Sequence, residues 1–387
     1  MMQCRGCGST ATDRVLDLGR VPAADHFPLA STHVAPDEAC HPLAMELCRD
    51  CGLAQLAEDD TMTQEPRGVE PQALKDQAAT AIHTLDEAGW LRGDTVLEFG
   101  SPHGGSWLPL LAERGYRPPT CDEPASLVLD CFGIMHDPDQ RSAFRLRART
   151  TSGAGVLLLQ FHSLATIVER GQWNALRHGH FAYYSLTSLR RILLDAGMHV
   201  ANAWEFDLYG GTVLVAARHG PGPSPSATLR RILDDESALG VDVCGEVGRL
   251  QRAADRHAVS LRHWLESMAG RNQRVYAYGA ASRAVALLHR AEIDRHLLPG
   301  VADSSVSKLG RRMPGTDIPI ISPVQLLAAD PDRVLLTVPD LLPEVRRQFP
   351  TLAGRWVLDE DLRACPDLGR SSRNHAIVEG PGSCVRR

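Results

Sequence analysis

Apolar residues change their spacing several times along this chain, and each change marks a new element. Between residues 72 and 88 they recur as Leu74, Ala78, Ile82 and Leu85, one face of a helix. An apolar run, Thr95-Val-Leu-Glu-Phe-Gly100, follows and ends in glycine; after the loop Ser101-Pro-His-Gly-Gly105, helical spacing returns from Trp107 to Arg114. Strand, glycine loop and helix in that order open a nucleotide-binding α/β layer. Further strands are expected at 127–131, 156–161, 199–206 and 212–217, the last two joined as a hairpin around Tyr209-Gly-Gly211. A Gly/Pro/Ser stretch at 220–226 marks a boundary. Beyond it, Val247, Leu250, Ala254, Ala258, Leu261, Leu265 and Met268 trace a long amphipathic helix. The alternation restarts with Val275-Tyr-Ala-Tyr-Gly279, a helix to about 289, and strands near 301–303 and 334–338, which read as a second Rossmann-like unit.

Residues 1–60 behave differently, with little helical periodicity and many turn formers. Their order comes from cysteine. Cys4-Arg-Gly-Cys7 and Cys48-Arg-Asp-Cys51 are separated by 40 residues, and each pair precedes a glycine. A two-residue spacer lets both thiolates converge on one tetrahedral ion, so the four are expected to bind structural zinc. Four thiolates close the coordination sphere and leave the metal no catalytic position. Cys40, Cys121, Cys131, Cys244, Cys365 and Cys384 lack such spacing and read as ordinary thiols in a reducing compartment.

The expected architecture is α/β: a zinc-binding head (1–60), an α/β domain (70–220), a helical connector (221–270), a C-terminal Rossmann-like domain (271–361) and a disordered tail (362–387). A length of 387 residues suits two or three domains. A net charge of −6 argues against a nucleic-acid partner. No apolar leader or membrane-length run is apparent, so the protein is expected to be soluble and cytoplasmic.

The best candidate for proton transfer is Leu176-Arg-His-Gly-His180, just before a hydroxyl-rich helix start. Gly179 permits unusual backbone angles. His178 and His180 share a face if the segment is extended, and histidine titrates near neutrality.

In order, the zinc knuckles, Glu98-Phe-Gly-Ser-Pro-His-Gly104, Arg177-His-Gly-His-Phe-Ala-Tyr-Tyr184, Tyr209-Gly-Gly-Thr212 and Tyr278-Gly-Ala-Ala-Ser-Arg283 resemble the sugar C-methyltransferases of antibiotic deoxysugar pathways. The resemblance implies a zinc-binding head, a class I methyltransferase-like Rossmann domain for S-adenosylmethionine (SAM), and a C-terminal Rossmann-like domain that helps hold a nucleotide-linked keto sugar. It also implies that His180 removes the proton beside the ketone, assisted by His136, His178 and Arg177. Glu98, Gly100, Ser101, Gly104 and Glu123 would hold SAM; Tyr183, Tyr209, Gly210, Tyr278 and Arg283 would hold the sugar.

The chain departs from that family in several places. Arg177 and Gly179 stand where the family has tyrosine and glutamate, and Pro102-His103 where it has Asn-Asp. No tyrosines occur in 66–86. Only Ala125 and Ser126 separate Cys121-Asp-Glu-Pro124 from the next apolar strand. Parallel neighbours need a crossover of about a dozen residues, so one or two strand–helix units on the adenosine side are expected to be missing and the methyltransferase-like domain truncated. Three functions stay open on the sequence: C-methylation by SAM, enolisation without a methyl donor as in an epimerase or isomerase, and noncatalytic binding of a nucleotide sugar or partner. A histidine metal site from His103, His136, His178 and His180 is a further reading.

Overall fold

Three sheets carry the chain, and the first grows out of the cysteine knuckles. A computed structural model describes residues 3–24, 26–35, 38–61, 70–101, 105–120, 123–222 and 225–363. In the head, β1 (Thr12–Pro22), β2 (Cys40–Cys48) and β3 (Ala54–Leu56) pair antiparallel. Leu16, Met45 and Leu56 sit opposite one another across the three strands and are buried. This cross-strand row supplies the apolar face that the turn-rich sequence did not announce.

The helix α1 (Gln72–Glu87) buries Ala78, Ile82 and Leu85, as its stripe requires. It leads into a five-stranded sheet built from β4 (Val96–Phe99), β5 (Ala125–Cys131), β6 (Thr151–His162), β8 (Met198–Phe206) and β9 (Thr212–His219), in the order β4-β5-β6-β9-β8. The first three run parallel, connected through α2 (Leu108–Ala112) and α3 (Gln140–Thr150); β8 and β9 form the antiparallel hairpin expected from the sequence. Between β6 and β8 come α4 (Leu164–Glu169), the two-residue β7 (Ala182–Tyr183) and α5 (Leu186–Asp195). β7 leaves its own domain and pairs with β3, extending the head sheet.

Among the described residues, the sheet ends at β4. Its outer edge meets only Arg117, in a one-residue parallel bridge with Thr95, where the Val96 N–H donates to the Arg117 carbonyl at 2.9 Å. Among the described residues between Arg117 and β5 no further strand adds to this edge, as the short spacing before Leu127 requires; Cys121 and Asp122 lie outside the described residues.

After β9, α6 (Ala227–Leu239) and the short α7 (Cys244–Val247) lead to α8 (Arg249–Gly270), a helix about 33 Å long. Its buried stripe, including Leu250, Ala254, Leu261 and Leu265, joins one apolar core with head strands β1–β3 and the last domain. That domain is an all-parallel sheet of β10 (Val275–Tyr278), β11 (Val301–Ala302), β12 (Ile320–Ile321), β13 (Arg333–Leu336) and β14 (Trp356–Leu358), ordered β12-β11-β10-β13-β14. The helices α9 (Ser282–Arg290), α10 (Pro323–Ala329) and α11 (Leu342–Gln348) connect its strands. The strand order reverses at β10, the position at which such sheets open a crevice for ligands. Leu362 and Arg363, placed in the expected tail, belong instead to a 3-10 turn spanning Asp359–Arg363 that packs on α8, with Leu362 buried. Residues 364–387 lie outside the described residues.

His257 on α8 is fully buried, its Nδ1 accepting the Trp173 indole N–H at 3.2 Å. Burial first, then the Arg363 cation, push its pKa down to about 3. The unfolded chain binds a proton at this site near pH 6.5 while the folded chain does not, so stability is present above that pH and lost as pH falls. The unfolding free energy should drop by about 1 kcal/mol from this site between pH 6.5 and 5.5. Denaturant melts of wild type and His257→Gln check this: the variant should lose that part of the slope.

Candidate active site

The carboxyl ends of β4–β6, the loop before β7 and the start of α9 enclose a cavity of about 260 Å³. His180 lines it and is 4% exposed. The loop that carries His180 is stitched from three sides. Gly179 takes φ 75° and donates its N–H to Asp59 Oδ2 of the head at 2.6 Å. Phe181 donates to the Met135 carbonyl at 2.7 Å and accepts from Leu56 on β3 at 3.2 Å. The His180 N–H closes a turn onto the Arg177 carbonyl at 3.3 Å.

His136 stands beside His180, its ring centroid 4.3 Å away and inclined by 74°. Its Nδ1 donates to the Gly179 carbonyl at 2.9 Å, which sets the tautomer and leaves Nε2 the basic nitrogen. The turn bearing His136 is fixed by Asp130 at the end of β5. One oxygen of Asp130 accepts the N–H groups of Gly133 and Ile134 at 2.9 and 2.8 Å; the other accepts Arg147 Nε at 2.9 Å. Arg147 in turn stacks over Phe99, 4.0 Å from its ring centre. Burial raises the Asp130 pKa while Arg147 and the two backbone N–H groups oppose it. His136 itself is not on the cavity wall, although its neighbour Met135 is.

The other two histidines of the expected cluster do not join this pair. His178 points into the head, where its Nε2 donates to the Pro42 carbonyl at 3.2 Å and its ring meets His41 edge-on at 5.8 Å. The cause is Gly179: its positive φ breaks the extended geometry that would have put His178 and His180 on one face. His103 lies outside the described residues.

Arg177 and Tyr183 both line the cavity. The Tyr183 hydroxyl accepts the Arg177 N–H at 3.0 Å, and Arg177 Nη1 donates to Ser282 Oγ at 2.7 Å, tying the histidine loop to α9. Arg283 follows on α9, its pKa lowered by burial against the pull of Asp359. Lys308 completes this cationic wall and donates to the Ala280 carbonyl at 2.8 Å. Tyr209 lines the cavity as well, with φ 55° and its N–H on Asp340 Oδ1 at 2.8 Å. Gly210 opens instead on the neighbouring cleft. Tyr278 is away from the cavity, packed against Phe349 and Trp356; as a residue of β10 it serves the sheet core.

On the glycine-loop side, Glu98 and Ser101 line the cavity, Gly100 does not, and Gly104 lies outside the described residues. Both Glu98 oxygens are occupied: Oε1 accepts the Trp107 N–H at 2.7 Å and Oε2 the Ser106 hydroxyl at 2.5 Å. Gly105 has φ 85°, and a Cβ there would come within 2.8 Å of Glu70 Oε1, so the backbone leaves a cradle that a side chain would fill. Glu123 is exposed, bonded to Thr120 Oγ1 at 2.7 Å, and absent from the cavity wall. Among the described residues the sheet ends at β4, and no strand there carries Glu123 inward.

Several cavity residues were not expected from the sequence. Glu70, Leu74 and Gln77 reach the wall from the start of α1, the region where tyrosines were missing. Gln160 and His162 arrive at the end of β6, and Asn174 from the turn Trp173–Ala175. His162 donates from Nε2 to Gln172 Oε1 at 2.8 Å, and burial, followed by the Arg283 charge, pushes its pKa down to about 3. It is neutral at physiological pH. Only the alternation of β6 hinted that Gln160 and His162 share a face.

In the head, the sulfur atoms of Cys4, Cys7, Cys48 and Cys51 lie within 4.8 Å of one another. Cys4 and Cys51 are 3.5 Å apart, Cys7 and Cys48 3.6 Å. Gly8 and Gly52, at φ 81° and 75°, close the two knuckles, donating to the Cys4 and Cys48 carbonyls at 2.8 and 2.9 Å. Four thiolates bonded at about 2.3 Å to a tetrahedral ion sit a little under 4 Å apart. The cluster therefore fits zinc.

Residues 4–61 match the family model described as "Putative zinc binding domain", and residues 207–358 the model described as "C-methyltransferase C-terminal domain". The chain is 24% identical to the C-methyltransferase NovU of Streptomyces niveus, over 92% of this chain and 94% of that one. Among solved structures, magnesium protoporphyrin IX methyltransferase of Synechocystis matches 38% of this chain and 84% of its own, with 14% identity and a TM-score of 0.29. The CcbJ methyltransferase of Streptomyces caelestis matches 40% and 94%, with 13% identity and a TM-score of 0.27.

Proposed function

We propose that this chain, whose head and C-terminal part match the two family models and which is 24% identical to a C-methyltransferase, transfers a methyl group from SAM to a carbon beside the ketone of a nucleotide-linked deoxysugar. The observation that carries this reading is His180, enclosed on the cavity wall between the two larger domains. A neutral imidazole there takes the proton of a carbon acidified by its ketone. His136 holds the Gly179 carbonyl and so orients the loop of the base. Negative charge that develops on the ketone oxygen, or is carried by the substrate's phosphates, is met by Arg177, Arg283 and Lys308 on the same wall. His162, kept neutral by burial, adds no competing positive charge of its own.

SAM supplies an electrophilic methyl group to the carbanion. Phe99, Ser101, Gly105 and Ser106, at the ends of β4 and the following loop, are the residues to hold it. Glu98 shapes that wall by gripping Ser106 and Trp107; Glu123 has no part. The four head thiolates hold zinc as a structural ion.

The test uses SAM labelled in its methyl group and a nucleoside-diphosphate keto-deoxysugar in deuterated water. The expected result is label recovered on a ring carbon of the sugar. Deuterium beside the ketone with no label transferred would replace methylation by bare enolisation, and neither outcome would leave only a binding protein.

A further inference from the structure

Two side-chain amides on the cavity wall are buried with polar atoms that meet no partner. Asn174 is 1% exposed, and neither its Oδ1 nor its Nδ2 is hydrogen-bonded. Gln160, also 1% exposed, donates from Nε2 to Thr212 Oγ1 at 3.2 Å while its Oε1 has no partner. Both line the cavity that His180 lines. Buried amides are nearly always bonded, because water lost without replacement is costly.

Rearrangement does not relieve Asn174, because its neighbours are locked. Trp173 donates its indole N–H to His257, and Gln172 is held by His162 on one side and the Tyr209 carbonyl at 3.2 Å on the other. The turn Trp173–Ala175 thus presents the amide to the cavity in a fixed pose. What it lacks is one donor and one acceptor; Gln160 lacks one donor. A hydroxyl offers a donor and an acceptor at once, a ketone only an acceptor, and a ring CH₂ neither.

We propose that Asn174 is a specificity-determining residue that reads a ring hydroxyl of the sugar, donating from Nδ2 to its oxygen and accepting its hydrogen at Oδ1, with Gln160 Oε1 accepting from a second hydroxyl. The assignment rests on the reaction proposed above and adds a requirement that the histidine chemistry does not impose. Sites built to bond a hydroxyl reject the analogue lacking it far more strongly than apolar pockets reject size changes.

The full chain is assayed with a nucleoside-diphosphate keto-hexose and its singly deoxygenated analogues, as wild type, Asn174→Leu and Asn174→Asp. Wild type should favour the hydroxylated sugar by about 100-fold or more in kcat/KM at one ring position at least. Asn174→Leu should narrow this to under ~10-fold, mainly through KM, and melt without sugar at the same or a higher temperature, because the bare amide is gone. Asn174→Asp, which keeps an acceptor, should retain part of the preference. A preference unchanged in Asn174→Leu, or a melting temperature lowered by more than ~4 °C in that variant, overturns the assignment. Should wild type methylate none of the sugars, the proposed reaction fails on its own. Calorimetric affinities of wild type and Asn174→Leu for the same sugars then decide on Asn174: a preference lost in the variant upholds the assignment, while a preference retained, or no binding at all, overturns it.

Discussion

His180→Asn should slow methyl transfer by about 10³-fold while leaving KM within about threefold, since a positioned general base contributes roughly 10² to 10⁴. Asparagine keeps much of the volume and cannot take the proton. Hydrogen exchange beside the ketone, followed in deuterated water without SAM, should fall in parallel, because both rates need the same carbanion. The neighbouring histidines provide the controls. His136→Asn should cost about 10-fold, acting through the Gly179 carbonyl that its Nδ1 holds and the ring contact with His180. His178→Asn should leave turnover within about threefold and cost stability instead, about 1 kcal/mol, for the bond it gives the Pro42 carbonyl. Should His180→Asn exchange and methylate like wild type, the base is another group.

Loss of the metal should be still more damaging. Structural zinc contributes on the order of 10 kcal/mol or more to small thiolate folds at neutral pH, and the two knuckles of this head meet through the four sulfurs that would hold it. The damage should spread to the active site through three links already described: β3 pairs with β7, Asp59 holds the Gly179 N–H, and Leu56 bonds Phe181. Cys51→Ser, or prolonged chelation, should therefore lower the melting temperature by more than ~10 °C and abolish turnover together. Metal analysis of the native chain should return about one zinc per molecule. A stripped chain that melts and turns over unchanged would show that the cluster is dispensable.

What could be read from the sequence was whatever is encoded locally. The two Cys-x-x-Cys pairs announced their convergence because ligand spacing is short-range geometry. The stripe on α8, the β8–β9 hairpin and the two glycine-ended strands β4 and β10 each carried their own period or turn. Even the truncation beside β4 was legible, because two residues cannot make a parallel crossover. The site was less so. His178 and His180 look equivalent in a row of letters, and only the left-handed Gly179 sends one into the head and the other into the cavity. Tyr278 and Glu123 matched motifs, yet packing against Phe349 and Trp356 claims the first and an early sheet edge strands the second. Asn174, Gln160 and His162 carry no motif at all. Their place on the cavity wall comes from the meeting of three sheets, which local patterning does not encode. No helix among the described residues is long and apolar enough to cross a membrane.

The grip of Glu98 on Ser106 and Trp107 has a consequence for affinity. It joins the two flanks of the glycine turn across nine positions of chain before any small molecule arrives. Holding those flanks together reduces their conformational freedom, and here folding has already borne that loss. A molecule settling against the turn consequently keeps more of its contact energy as binding, in the manner of a latch cut to shape beforehand.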